Sequence, residues 1–259
     1  DLYKIPLDDK KVFQMLSLGD STGVFQLESA GIRKIMKRLK PDKFEDIVAL
    51  LALYRPGPLQ SGMVDDFINR KNGKEKIEYP HKDLEIILKE TYGVILYQEQ
   101  VMKIASYMAD YSLGEADLLR RAMGKKNFAI MRENREKFIE RAVNNGYTVE
   151  KSEEIFELID KFAGYGFNKS HSVAYAMISY WTAYFKVHYP AFYYAAVMTS
   201  EISETGDIAY YFNDAKEHGV RVYSPNVNSP SAYFEVKNDG ITYSLAAIKN
   251  FGLTMAKKI

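Results

Sequence analysis

Between Arg120 and Arg141 the sequence carries eight basic residues (Arg120, Arg121, Lys125, Lys126, Arg132, Arg135, Lys137 and Arg141) and three acids (Glu133, Glu136 and Glu140), a local net charge of +5. Cations crowded into so short a stretch repel one another unless an anion shares them. Guanidinium forks match the oxygens of phosphate, so Arg120 and Arg121, with Lys125 and Lys126, form a candidate phosphate-binding group. A solvated basic face whose charge complements a helix C-terminus describes the same residues. A second run, Arg33, Lys34, Lys37, Arg38, Lys40 and Lys43, meets only Asp42, again a net of +5. The spacing 33/34/37/38 puts its first four members on one helical face, as a nucleic-acid backbone track would require and as a plain solvent face would also show. The third group is Phe162-Ala163-Gly164-Tyr165-Gly166-Phe167-Asn168-Lys169-Ser170-His171-Ser172. Glycines permit close backbone approach, a helix N-terminus offers free N–H groups, and Lys169 adds charge. Aromatic rings there could stack on a base while Asn168 or His171 touches a sugar or base edge. In the plainer alternative, Asn168 or Ser170 caps the helix and the rings are core.

Other chemistries lack their residues. Gly164-Tyr165-Gly166 has no third glycine for a dinucleotide fingerprint, and Gly124-Lys125-Lys126 lacks the preceding P-loop glycine. Four scattered histidines and no cysteine argue against zinc. Two-metal phosphoryl transfer needs converging carboxylates. Asp8-Asp9 and Asp65-Asp66 are adjacent pairs whose side chains diverge, and no Asp-x-Asp occurs. No metal ligands are therefore expected, and both pairs read as exposed loop or cap residues.

The elements that must carry these groups are mostly helical. Helices are expected over Lys10–Leu16, Ser29–Leu39 and Phe44–Tyr54, with Arg55-Pro56-Gly57-Pro58 breaking any helix. Ser112 and Glu115 form a capping box that opens a helix from Leu113 to Met123, with Gly124 at its C′ position and Lys125 and Lys126 on a tight loop. The next runs from about Asn127 to Asn144. Thr148 caps another, with Ile155, Phe156, Ile159 and Phe162 on one face. Ser170–His188 is apolar on every side and so expected to be buried. Pro190 opens a further helix through Met198. Beyond Gly219 the pattern turns β-like, at Val220–Tyr223, Ala232–Val236 and Ile241–Leu245, with a hairpin signal at Asp239-Gly240.

At 259 residues and 47% hydrophobic the chain can bury a sizeable core. The net charge of +1 hides both basic tracts. Without cysteine there is no disulfide framework, which fits a reducing, cytoplasmic setting. No apolar run approaches the ~20 residues of a membrane span. The absence of an initiator Met and the close on Lys257-Lys258-Ile259 suggest a piece of a longer chain.

Five stretches together resemble a known family: Gly23-Val24-Phe25-Gln26-Leu27-Glu28-Ser29; Arg55-Pro56-Gly57-Pro58-Leu59-Gln60-Ser61-Gly62-Met63; Tyr97-Gln98-Glu99-Gln100-Val101-Met102; Leu118-Leu119-Arg120-Arg121-Ala122-Met123-Gly124-Lys125-Lys126; and Gly164 to Ser172. In this order and spacing they are similar to the alpha subunit of bacterial DNA polymerase III, the C-family replicative polymerase. The resemblance implies a mainly α, multi-helix fingers domain over 1–219, which grips nucleotide and DNA. It also implies a short β-containing end over 220–259, leading toward a helix-hairpin-helix element. It implies that Arg120 and Arg121, with Lys125 and Lys126, meet the triphosphate of an incoming deoxynucleotide. Asn168 to His171 would lie by its sugar, where Ser170 and His171 could discriminate against a 2′-hydroxyl. Arg33, Lys34, Lys37, Arg38 and Arg55 are the expected DNA contacts. The family's palm, with three metal-binding aspartates and Mg2+, would lie upstream, so the fragment would be inactive alone. Primer-template DNA, the rest of the subunit and, through regions outside this chain, the sliding clamp and other replisome subunits are the implied partners. Ala247-Ile248-Lys249-Asn250-Phe251-Gly252 resembles the opening of the helix-hairpin-helix, with Asn250 where the family usually has glycine. The rival from another class is a non-catalytic scaffold whose basic faces bind nucleic acid or a partner protein.

Overall fold

The structure is a computed structural model and describes residues 1–125, 128–228 and 230–259, without the side chains of Lys125 and Phe128. The chain forms two compact units, one of residues 1–43 and 177–259 and one of residues 44–176. Those limits differ in kind from the functional boundary expected at 219/220, since they follow packing alone.

Helices start where side-chain acceptors meet free N–H groups. Asp9 caps α1 (Lys10–Ser17) through Lys11 and Val12, and Ser29 caps α2 (Ala30–Leu39). Lys40, in the left-handed region at φ 50°, ends α2 just before Pro41. In the second unit come α3 (Phe44–Leu53), α4 (Pro56–Gln60), α5 (Met63–Lys71) and α6 (Glu85–Leu88). These precede α7 (Gln98–Ala109), α8 (Leu113–Lys125), α9 (Phe128–Asn144) and α10 (Val149–Phe162). The expected break at Arg55–Pro58 is half right. The chain leaves α3, but Pro56 then opens α4 at N1, where its missing N–H and fixed φ do no harm. Helices α5 and α7 were not expected. The Ser112–Glu115 capping box is present, with Ser112 N donating to Glu115 at 2.9 Å and Glu115 N to Ser112 Oγ at 3.3 Å.

The expected stop at Gly124 is corrected, because α8 runs through Lys125 and Gly124 is not among the positive-φ glycines. Glycine permits a left-handed stop but does not impose one. Lys125 is therefore helical, and Lys126 lies outside the described residues.

One core cluster joins α7 to α10, with Val101, Ile104 and Met108 against Leu119, Phe138, Phe156 and Ile159. Burying each such side chain contributes about 1.5–3 kcal/mol. Phe138 and Phe156 lie 5.5 Å apart, centroid to centroid. Three residues join α7 to α8, and buried positions along both helices share that cluster, so α8 doubles back along α7.

Helix α11 (Lys169–His188) belongs to the second unit up to Ala176 and to the first unit from Met177. It is not buried all round, as its composition had suggested: Tyr175 is 37% and Ile178 40% exposed. Its buried face is Ser172, Ala176, Ser179, Tyr180, Ala183 and Lys186, mostly small or polar. Small side chains let neighbouring backbone approach, and hydroxyls bond it, as Ser172 Oγ does to Val48 O at 2.6 Å.

In the first unit α12 (Pro190–Ser200) and an unexpected α13 (Thr205–Glu217) pack against a three-stranded sheet. Its strands are β1 (Arg221–Tyr223), β2 (Glu235–Lys237) and β3 (Gly240–Thr242), in the order β1-β3-β2. Strand β3 is parallel to β1 and antiparallel to β2, with Lys237 opposite Gly240 across the two-residue hairpin. A Cβ at Gly240 would lie 2.6 Å from Arg221 O, so only glycine allows this strand spacing. The strands are shorter than expected and overlap the expected segments, with β2 ending one residue later and β3 starting one residue earlier. Near the end, before α14 (Leu253–Ala256), Asn250 has φ 67°. Asparagine tolerates that conformation better than most side chains do.

Candidate functional site

Arg120 and Arg121 sit late on α8 and converge on Asp117, one turn earlier. Arg120 Nε and Nη2 lie 2.9 and 2.7 Å from Asp117 Oδ1, and Arg121 Nε lies 2.8 Å from Oδ2. Hydrogen bonds from Arg120 first, and then from Arg121, hold the Asp117 carboxyl below its usual range. Arg121 remains 63% exposed and Arg120 31%, so both still present N–H groups to solvent. Of the four other described basic side chains in the stretch, three are committed. Glu115 joins Lys137 at 2.5 Å and Arg141 at 3.0 Å, and Arg135 joins Glu153 at 3.0 Å. The acids that pair here lie outside the 120–141 window, and adding these three to it leaves +2 of the apparent +5. Of the described cations in the stretch, Arg120 and Arg121 are the adjacent pair sharing a single carboxylate.

The glycine–aromatic segment is held from several sides. Gln98 N donates to Phe167 O at 2.9 Å, in a parallel bridge of Tyr97 with Phe167. Arg55 donates to Tyr165 O at 2.7 Å and to Ala52 O at 2.8 Å, with its guanidinium 4.4 Å from the Phe167 ring centre. Burial lowers the Arg55 pKa. A Cβ at Gly57 would lie 2.2 Å from the Tyr165 ring. Glu99, in the first turn of α7, accepts Lys169 N at 2.9 Å and Asn168 Nδ2 at 2.9 Å, and Glu90 meets Lys169 Nζ at 2.6 Å. Asn168 Oδ1 in turn accepts His171 N at 2.8 Å, so Asn168 does cap α11. The start of α11 is not a buried one, since Asn168, Ser170 and His171 are exposed. The His171 ring lies 4.3 Å from Tyr175 and 5.5 Å from Phe167.

Helix α7 is common to both groups. Its first turn bonds residues 168 and 169, and α8 doubles back along it, carrying Arg120 and Arg121 toward that same end. Glu99 stood only within a family-like stretch, and its role as an acceptor left no local signal, because its partners lie 69 and 70 residues away. Asp117 did leave one, at three and four residues before the arginines.

The second basic tract lies on α2, where Lys34, Lys37 and Arg38 are exposed. Arg33 instead points its Nη2 at Thr22 Oγ1 (2.8 Å) and Tyr210 OH (3.0 Å), and ties α2 to α13.

Among the described residues, the paired carboxylates that the sequence offered are engaged in other ways. Asp9 caps α1 and meets His188 at 2.8 Å, while Asp65 and Asp66 are exposed in the first turn of α5. Asp20, Asp214 and His218 form the one triple group of ligand type among the described residues, their atoms within 4.8 Å of one another. That group already contains its own cation. Lys186 Nζ, on a fully buried side chain, lies 3.1 Å from Asp20 and 2.9 Å from Asp214.

A mainly helical domain with a small sheet, a solvent-facing arginine pair and a capped helix start beside α7 is what the geometry defines. The chain belongs to the bacterial DNA polymerase III alpha subunit finger domain family, whose model matches residues 1–146. It is 55% identical over 97% of its length to DNA polymerase III subunit alpha of Buchnera aphidicola, and 52% identical over 97% to that of Escherichia coli K12. It is 51% identical over its whole length to that of Aquifex aeolicus. The chain spans 22% of the length of each of these relatives. Among the described residues no helix is long and apolar enough to cross a membrane.

Proposed function

We propose that this fingers domain grips the triphosphate of an incoming deoxynucleotide through Arg120 and Arg121, with Lys125 and Lys126, which follow in the sequence, adding charge. The observation that carries this reading is the convergence of two adjacent, part-exposed guanidiniums on one carboxylate. Such a pair carries more positive charge than its partner neutralises, and planar forks suit phosphate oxygens. In phosphoryl transfer a protein mainly positions the reacting groups and offsets charge, which cations on a rigid helix do without reorganising. Ser170 and His171, exposed at the start of α11, are the side chains proposed to meet the sugar. Asn168 and Lys169 act behind them, through Glu99 and Glu90. Lys34, Lys37 and Arg38 are proposed to follow a DNA backbone, with Arg33 and Arg55 supporting from within the fold. Mg2+, held by carboxylates elsewhere in the subunit, would supply the other half of the charge stabilisation. On this reading the 259-residue chain does not extend a primer by itself.

The test is Arg120→Ala with Arg121→Ala in the full-length subunit. Each charge-assisted hydrogen bond is worth about 1.5–3 kcal/mol. Losing two should lower kcat/KM for nucleotide incorporation by on the order of 10²–10⁴-fold while the fold is retained. Wild-type kinetics in that variant would remove the reading. Primer extension by the isolated chain would overturn the requirement for carboxylates from elsewhere.

A further inference from the structure

We infer that Asp117 is a positioning residue for the arginine pair: it sets the direction of both guanidiniums before an anion arrives. The inference rests on the phosphate reading above and goes beyond it, because Asp117 itself would repel a phosphate.

Neighbouring residues on a helix point about 100° apart. Arg120 and Arg121 therefore diverge by default, and their like charges favour the divergence. Asp117 is three residues before one and four before the other, the two spacings that bring side chains together on a helix surface. Its two oxygens divide the work. Oδ1 takes the Nε and Nη2 side of Arg120, and Oδ2 takes Nε of Arg121. Nη1 of Arg120 and both terminal nitrogens of Arg121 are left for a further anion. The pair is thus held through one edge of each fork, and both side chains remain part-exposed.

Stability gives Asp117 little reason to be there, since all three side chains are at least 31% exposed and ion pairs so exposed are weak. The structural tie of this region is a different acid, Glu115, which reaches Lys137 and Arg141 on α9. Ordering two long side chains on binding carries an entropic cost, and Asp117 meets that cost before the ligand comes. Its negative charge acts in the opposite direction on a triphosphate. The positioning effect is inferred to be the larger, because the carboxylate sits on one edge of each fork.

The experiment is single-nucleotide incorporation by the full-length subunit on primed DNA, comparing wild type, Asp117→Ala, Asp117→Asn and the double arginine variant. Asp117→Ala is expected to raise the deoxynucleotide KM about tenfold, the effect of ordering two side chains. Asp117→Asn keeps an acceptor for one arginine and should recover part of the loss. On the Arg120→Ala/Arg121→Ala background, Asp117→Ala should have no further effect, a result that general damage to α8 would not produce. If Asp117→Ala leaves KM unchanged or lowers it while the double arginine variant is impaired, Asp117 is a bystander or a competitor for the arginines. The inference then falls and the phosphate reading stands. If the double arginine variant is itself wild type, both fall. Should Asp117→Ala unfold, Asp117→Asn carries the same comparison: a KM at or below wild type overturns the inference.

Discussion

Replacing Lys186 with methionine removes the cation at the centre of the first unit while keeping a side chain of similar length. The ammonium donates to Asp20 Oδ1 (3.1 Å), Asp214 Oδ2 (2.9 Å) and Thr22 O (3.2 Å). Tyr194 OH also donates to Asp214, at 2.5 Å, and His218 Nε2 meets Asp20 at 2.7 Å. Without Lys186 two carboxylates face each other with one imidazole between them. Removing one partner of a buried ion pair costs roughly 3–5 kcal/mol. Asp20 is 36% exposed and can recover some hydration, so about 3 kcal/mol is the expected loss. In a chain of this size that lowers Tm by roughly 6–12 °C, read by circular dichroism on the purified chain at pH 7.

The pH dependence supplies a second, independent check. Burial alone would raise the Asp20 carboxyl, but Lys186 and then His218 outweigh it and hold Asp20 below its usual range. A carboxylate so depressed stabilises the wild type above its unfolded pKa of about 3.9, and that contribution fades as pH falls through the lower folded value. In the variant, burial acts on Asp20 without the ammonium to oppose it, so this carboxylate gains from taking up a proton. The deficit should therefore shrink between pH 7 and pH 4. A Tm within about 2 °C of wild type at pH 7, or a deficit that grows toward pH 4, would refute the assignment of Lys186 as the neutralising centre.

Two further substitutions probe the frame around the candidate site. Gln100→Leu orphans the N–H groups of Leu96 and Tyr97, now bonded to Gln100 Oε1 at 2.8 and 2.9 Å in a buried setting. At about 1–3 kcal/mol for each unsatisfied donor, the loss should exceed ~2 kcal/mol in thermal unfolding, and a smaller one would show that water reaches these groups. Gly57→Ala drives a methyl group into the Tyr165 ring, 2.2 Å away. It should cost about 1–3 kcal/mol in thermal unfolding, and a stability equal to wild type would mean that the 165–167 segment yields freely.

Much of the fold could be read along the chain because its signals are local. Capping at Asp9, Ser29, Ser112 and Thr148 acts within three residues, and apolar spacing marked the core face of α10. The hairpin also declared itself, and the mainly helical class followed from these elements together. Local signals failed where a residue only permits a conformation, as Gly124 does, or where proline can begin a helix as well as end one, as Pro56 does. Composition failed on α11, because aromatic richness does not say which face is covered.

For the candidate site, the sequence alone determined the residue types: two adjacent arginines, a glycine–aromatic turn and a polar helix start. The tertiary structure decided how they are held. The 120–141 stretch read as a charge excess because its partners, Glu115, Asp117 and Glu153, lie outside it, one of them on another helix. Glu99 reaches Lys169 across 70 residues of chain, and Lys186 draws together Asp20 and Asp214 from opposite ends of the sequence. Ion pairs and caps of that kind depend on distance in space, which falls off within a few ångströms and leaves no periodic trace along the chain.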